Sequence, residues 1–330
     1  MAQFDLPLED LRAYRYHRSE PVGLDAFWAR TLDEARTYDS DVTLAPVDTP
    51  LTTLDVSDVS FAGFGGERVR GWLVRPAGAT GPLPVAVEYI GYGGGRGRPW
   101  ERLMWASSGF AHLVVDTRGQ GGVWNVGDTP DPHGTGSSSP GFLTKGIDSI
   151  DDYYYRRVYA DAVRAVDAAR ALPGADPARV VVTGSSQGGA IALAAAALSS
   201  DVAAVAARVP YLCGVARAVV VTDRDPYAEL RRYLGVHRER AEAALHVIDH
   251  VDNAFLAARI TCPAWFSIGL MDDVCPPSSI FAAINAMTTE PDVVIHPYNG
   301  HEGGGIDDDG LAVAWAHRVL GAPRSTPAAP

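Results

Sequence analysis

Residues Arg179 to Leu198 read RVVVTGSSQGGAIALAAAAL. Val180 to Thr183 is a β-branched run, which suits a strand, and Ala190 to Leu198 is Ala-rich, which suits a helix. Between them Gly184-Ser185-Ser186-Gln187-Gly188 fits G-x-S-x-G. In a strand–turn–helix setting this pattern is a nucleophile elbow, a sharp turn that lifts a serine hydroxyl above the end of a sheet. Glycines on either side of Ser186 let strand and helix approach without a Cβ between them. The plainer reading is a Gly/Ser turn with Ser186 as a helix N-cap. It leaves the candidate partners downstream unexplained.

Outward from the elbow the same rhythm recurs. Short apolar runs (PVAVEYI, AHLVVD, VAAVAARV, CPAWFSIGLMD, DVVIHPYNGHE) alternate with helical segments such as WERLMWASSGF, YYYRRVYADAVRAVDAARAL and PPSSIFAAINAM. Continuous apolar strands alternating with helices predict a mostly parallel sheet with helices on both faces. Before it, Gly23 to Tyr38 places Leu24, Phe27, Trp28, Thr31, Leu32 and Ala35 on one helical face, inside an N-terminal helical extension over residues 1–40. Leu54 to Arg75 predicts antiparallel strands around a Gly63–Gly66 turn. The alternation breaks from Pro210 to Arg259, an Arg- and Glu-rich helical stretch read as an insertion near the active site, a lid or an oligomer contact. The whole chain, 1–330, is expected to be one domain, with a flexible Pro/Ala-rich tail at 321–330. The long Gly127–Gly141 loop reads equally as functional or disordered.

Composition narrows the class. The 330 residues are 47% hydrophobic and 21% charged, ordinary for a globular protein. Lys and Arg number 28 against 40 acidic residues, a formal charge of −12 that suits neither a nucleic-acid partner nor an anionic membrane surface. Cys213, Cys262 and Cys275 lack CxxC spacing and read as free thiols in a reducing, cytoplasmic setting. The first residues carry no basic-then-apolar leader, and Ala190–Leu198 is too short to span a bilayer. Neither a metal nor a cofactor is implied.

A serine hydroxyl needs a base to take its proton, and the base needs an orienting acid. In this architecture the chain order is Ser, acid, His. His237, His246 and His250 fall in the insertion, His317 on the last helix and His296 inside a strand. His301 follows that strand in YNGHEGGG, at the sheet end where α/β sites form, and is the expected base. The acid should end the preceding strand: Asp272 is the first choice and Asp273 the fallback, with a helix-start carboxylate as the plain reading of Asp272. The oxyanion requires backbone N–H donors, one from Gln187 and one from the loop Gly91 to Arg96, GYGGGR, whose bulky member is Tyr92. That loop superficially matches a nucleotide-binding turn but lacks its helix and acidic partner.

GYGGGRG (Gly91–Gly97), DTRGQGG (Asp116–Gly122), YYYRRVYADAVRAV (Tyr153–Val166), GSSQGG (Gly184–Gly189), GLMDDVCPPS (Gly269–Ser278) and YNGHEGGG (Tyr298–Gly305) occur in this order. Together they resemble the carbohydrate esterase family of acetyl xylan esterases and cephalosporin-C deacetylases, in the α/β-hydrolase superfamily. The resemblance implies nucleophile Ser186, acid Asp272, base His301 and oxyanion donors Tyr92 and Gln187. It also implies a small acyl pocket lined by Tyr92, Tyr211, Pro226 and Val274, a small acetyl ester as substrate, and a homohexamer. Ser185 stands where members often carry Gly, and Tyr211 where Phe is usual. DTRGQGG reads first as a structural turn pairing Asp116 with Arg118, and second as a brace for the site. The rival readings are a prolyl-oligopeptidase-like peptidase and a catalytically silent hydrolase-fold binding protein.

Overall fold

A computed structural model describes residues 3–133 and 140–321. Part of the Gly127–Gly141 loop and nearly all of the C-terminal tail lie outside them. The strands are β1 (Thr43–Pro46), β2 (Leu54–Ala62), β3 (Arg68–Pro76), β4 (Leu83–Tyr89), β5 (Ala111–Val115), β6 (Ala175–Ser185), β7 (Ala204–Arg208), β8 (Ala264–Gly269) and β9 (Asp292–His296). They form one sheet in the order β1-β2-β3-β5-β4-β6-β7-β8-β9. β1, β2, β3 and β5 pair antiparallel, whereas β5 through β9 run parallel. The helices are α1 (Leu8–Ala13), α2 (Leu24–Arg36), α3 (Met104–Ser107), α4 (Tyr154–Arg170), α5 (Gln187–Leu198), α6 (Val215–Val221), α7 (Tyr227–Val236), α8 (Ala241–Asp249), α9 (Asn253–Leu256), α10 (Pro277–Ile284) and α11 (Ile306–Leu320). No described helix is long and apolar enough to cross a membrane.

The inner parallel strands are mostly apolar because each serves two cores. Val85, Val87, Val180, Val182, Val205 and Phe266 pack on one face with residues of α2, α4 and α5. Their neighbours Ala86, Val181, Ala204, Ala206 and Trp265 point the other way, onto Trp105, Phe110 and Trp315. The two-residue period of a strand sends successive side chains to opposite faces, so burial on both favours apolar runs, and the buried polar exceptions Glu88, His112, Thr183 and Ser267 each have a polar partner. Three departures from expectation mark where this signal fails. β1 is short and largely exposed, so TLAP carried no pattern. WERLMWASSGF yields only the single turn of α3. The short α1 also lay within the extension unread.

α5 is buried on every side from Gln187 to Ala196, which only small side chains permit at close approach to strand and helix neighbours. α4 is buried almost as fully although it carries Arg156, Arg157, Asp161 and Arg164. Each charge has a dedicated partner. Arg118, 1% exposed, donates from Nε to Asp161 Oδ2 at 2.6 Å and from Nη2 to Oδ1 at 2.8 Å. Arg156 reaches Thr31 and Glu34 of α2, and Arg164 reaches the carbonyls of Tyr38 and Ala62. Removing one member of such a buried pair costs about 3–5 kcal/mol, because the other charge is left unpaired. The N-terminal extension thus covers α4, and Trp28 Nε1 ties it to the insertion by donating to the His250 carbonyl at 2.9 Å.

The insertion lies between β7 and β8 and consists of α6 to α9 with short 3₁₀ turns at 238–240 and 257–259. Asp252 anchors it, accepting from the backbone N–H groups of Gly214, Val215 and Ala254.

Candidate active site

Every element of the site hangs from the turn between β6 and α5. Ser186 has φ 55° and ψ −120°, a backbone conformation that L-residues rarely adopt. The surroundings leave no alternative. A Cβ on Gly184 would lie 2.3 Å from the Gly188 carbonyl carbon, and one on Gly188 would lie 2.2 Å from the Tyr89 carbonyl oxygen. The Ser186 N–H donates to Arg208 O at 2.9 Å, and its carbonyl accepts from Tyr211 N at 3.0 Å. Arg208 at the end of β7 and Tyr211 just beyond it thereby hold the strained residue by both of its backbone groups.

The structure brings Ser186, His301 and Asp272 together. His301 Nε2 lies 3.0 Å from Ser186 Oγ, and His301 Nδ1 lies 2.9 Å from Asp272 Oδ2. Asp272 is fully buried, and its Oδ1 accepts from the N–H groups of Val274 at 2.9 Å and Cys275 at 2.8 Å. All of its exits but the imidazole are thus occupied by fixed donors. A carboxylate accepts only, so Nδ1 carries the proton and Nε2 is left to accept from the serine. Asp273, the fallback, turns away and pairs with Arg224 Nε at 3.0 Å. Three of the other downstream histidines have partners elsewhere: His296 Nε2 lies 2.9 Å from Asp308, His317 Nε2 3.0 Å from Ser108 O, and His250 Nδ1 2.8 Å from His246 O.

Gln187 opens α5, where backbone N–H groups have no intrahelical acceptor. Its side chain is fully engaged elsewhere. Nε2 donates to Ile90 O at 3.1 Å, while Oε1 accepts from Tyr155 at 2.8 Å and Gln120 at 3.0 Å. Gln120 in turn accepts from Gly93 N at 2.7 Å and donates to the Tyr154 hydroxyl at 3.0 Å. This buried amide pair ties the loop after β4 to the elbow, so Tyr92 is held beside Ser186. The DTRGQGG segment therefore braces the site, and the Asp116–Arg118 pairing expected from the sequence does not form. Asp116 accepts instead from the N–H groups of Arg96, Asp128 and Thr129, with burial pushing its carboxyl above the usual range.

A cavity of about 490 Å³ opens over these groups, lined by Tyr92, Ser186, Pro226, Glu229, Val274 and His301 among others. Tyr211 is fully buried one layer back, its ring 6.0 Å from that of Tyr92 and 4.7 Å from that of Tyr227. It backs the wall, and Tyr92 presents it. Glu229 of α7 went unsingled in the sequence, since an Arg- and Glu-rich helix reads as solvated. The fold buries it instead, and its Oε2 accepts from the Tyr92 hydroxyl at 2.6 Å. Burial pushes this carboxyl above its ordinary range. The same tyrosine oxygen accepts from Phe142 N at 2.9 Å, so one side chain links the loop after β4 to the insertion and to the turn at Phe142.

Elsewhere, Glu67, Asp131 and His133 bring ligand-type atoms within 4.8 Å of one another. Arg118, Lys145 and Arg157 already face these carboxylates and supply the cationic charge. Cys213, Cys262 and Cys275 are free.

Comparison with known proteins points one way. The model of the acetyl xylan esterase (AXE1) family matches residues 1–318. An acetyl xylan esterase structure from Paenibacillus sp. R4 is 34% identical, with a TM-score of 0.87 over 97% of this chain and 100% of that one. Acetyl xylan esterase 1 from Thermoanaerobacterium sp. is 30% identical, with a TM-score of 0.87 over 96% and 99%. An acetyl esterase of Xylanibacter ruminicola is 30% identical over 86% of this chain, which spans 64% of that relative's length. Matched along nearly its whole length in sequence and in an α/β-hydrolase fold, the chain belongs to the acetyl xylan esterase family.

Proposed function

We propose that this chain is a serine carboxylesterase that removes acetyl groups from small esters, such as acetylated xylo-oligosaccharides and cephalosporin C. The observation that carries this reading is the hydrogen-bonded line Ser186 Oγ–His301 Nε2–His301 Nδ1–Asp272 Oδ2, at 3.0 and 2.9 Å, opening into the cavity. His301 accepts the Ser186 proton as Oγ attacks the acetyl carbonyl carbon. Negative charge moves onto the carbonyl oxygen, toward the backbone N–H groups of Gln187 and Tyr92. Collapse expels the alcohol, which takes its proton from His301. Water then attacks the acyl-serine, again with His301 as base, and releases acetate. Asp272 keeps the imidazole in one tautomer and offsets the charge it gains.

The small acyl group is supported by the walls. Tyr92 is braced from behind by Tyr211 and from its hydroxyl by Glu229, and Pro226 and Val274 close the cavity beside it. The motif resemblance implies a homohexamer, with the insertion at 210–259 supplying subunit contacts, and three free cysteines suit a reducing, cytoplasmic setting. Light scattering at micromolar concentration is expected to give a mass near six chains; a mass near 35.1 kDa, one chain, overturns the assembly.

The reading makes two kinetic predictions. Ser186→Ala and His301→Ala should each lower kcat by about three to four orders of magnitude, because such groups act as a unit. Asp272→Asn should be severe and Asp273→Asn mild; the reverse order would reassign the acid. Across p-nitrophenyl esters of increasing acyl length, kcat/KM should fall steeply beyond acetyl. Overpacking costs about 1–3 kcal/mol, so two or three unaccommodated methylenes give roughly a 10²–10⁴-fold loss. A rate that rises with acyl length would contradict the small pocket.

A further inference from the structure

The turn that carries His301 is held from outside the catalytic line. After β9 the chain folds back on itself: Gly303 N donates to Gly300 O at 3.1 Å and Gly305 N to Glu302 O at 2.9 Å, two overlapping tight turns. The next element, α11, begins with Asp307, Asp308 and Asp309 in its first turn. Acidic residues there ordinarily face solvent and complement the helix dipole. Asp307 is exposed, but Asp308 is 1% exposed. A buried carboxylate is costly unless donors surround it, and the fold supplies them. Oδ2 accepts from Gly304 N at 2.8 Å and from the Ser267 hydroxyl of β8, and Oδ1 lies 2.9 Å from His296 Nε2 of β9. A carboxylate accepts only, so this Nε2 carries its proton. The fit is tight: a Cβ on Gly304 would lie 2.4 Å from Asp308 Oδ1 and 2.6 Å from His296 Nε2.

Ser267, Asp308 and His296 have the composition of a second triad but not its chemistry. The carboxylate lies between hydroxyl and imidazole, so the fully buried Ser267 donates to an anion and no base activates its oxygen. What the cluster does is mechanical. Asp308 joins β8, β9 and α11 to the turn behind His301. His296 adds a second tie, because its carbonyl accepts from Leu270 N at 2.9 Å, two residues before Asp272. Asn299 O likewise accepts from Met271 N at 2.9 Å. The segment that leads to the acid and the turn that bears the base are therefore fixed to each other.

We propose that Asp308, held by His296, is a positioning residue for the catalytic base: it fixes Gly304 and, through Gly304, the aim of His301 Nε2. The inference rests on the esterase reading and adds to it a residue that touches neither the ester nor the reacting atoms. His301 acts twice in acylation, as base toward Ser186 and as acid toward the departing alcohol. An alkoxide leaves poorly without that proton, whereas p-nitrophenolate leaves without it. A misaimed imidazole therefore harms an alkyl ester more than a p-nitrophenyl ester. A plain loss of folded enzyme harms both alike.

The test measures kcat/KM for ethyl acetate and for p-nitrophenyl acetate in wild type, Asp308→Asn, His296→Gln and the exposed control Asp307→Asn. Taking the ratio of the two esters cancels differences in the amount of active enzyme. Asp308→Asn should lower the ethyl to p-nitrophenyl ratio about tenfold, a part of the roughly 10²–10⁴-fold that general acid–base catalysis contributes. His296→Gln, which leaves the Ser267 and Gly304 bonds in place, should lower it about threefold, and Asp307→Asn should not change it. If Asp308→Asn fails to fold, the ratio in His296→Gln alone decides. A wild-type ratio in the variants of the cluster overturns the proposal, and so does an equal fall in Asp307→Asn. If the wild type hydrolyses neither ester, the esterase reading fails on its own. The rate of fluorophosphonate labelling at Ser186 then reports the placement of His301: a fall of about tenfold in Asp308→Asn upholds the positioning role, and an unchanged rate overturns it.

Discussion

The close crossing of α5 over the end of β4 is the constraint on which the rest of the site depends. Gly188 sits so near the Tyr89 carbonyl that no side chain fits between them, and Gly184 sits equally close to Gly188. That approach forces the chain to turn within a single residue, and the turn falls on Ser186. A positive φ at a non-glycine residue costs on the order of 1–3 kcal/mol and persists only where its surroundings over-determine it. Here the surroundings are a helix buried on every side and two backbone hydrogen bonds to the chain around the end of β7. The same crossing sets the first turn of α5, with Gln187, against the end of β4 and the loop that carries Tyr92.

Around the turn, polar side chains do what packing alone does not. Gln120 and Gln187 exchange hydrogen bonds in a buried pair and fix the loop after β4 through Gly93. A fully satisfied buried network of this kind rigidifies its neighbours, whereas a half-satisfied one would be a liability. Tyr92 extends the network outward, joining the loop to α7 through Glu229 and to Phe142 through a backbone N–H. The insertion is therefore part of the site's wall. The N-terminal extension contributes from further out, by burying the charged face of α4 and holding the insertion through Trp28.

What was legible followed the physics of each signal. Strands buried on two faces leave an unmistakable apolar run, and the glycine-flanked serine lies where such a run meets an Ala-rich helix. His301 and Asp272 follow the ends of β9 and β8, which the strand runs locate directly. β1 is four residues long and mostly exposed, so it imposed no pattern. Arg118 and Asp161 are distant in sequence, and only the fold reveals that they pair in place of Asp116 and Arg118. Glu229 was hidden for a related reason: it sits in a charged helix, where local composition does not reveal what the side chain faces. The tail and residues 134–139 lie outside the described structure.

The central claim is that Ser186 is a nucleophile activated by its neighbours, and covalent trapping tests it most directly. The intact protein is treated with a fluorophosphonate ester and the adduct is mapped by peptide mass spectrometry. The account predicts one adduct per chain, on Ser186, with a rate that collapses in His301→Ala. An unmodified Ser186, or an adduct that forms at the same rate without His301, would contradict it.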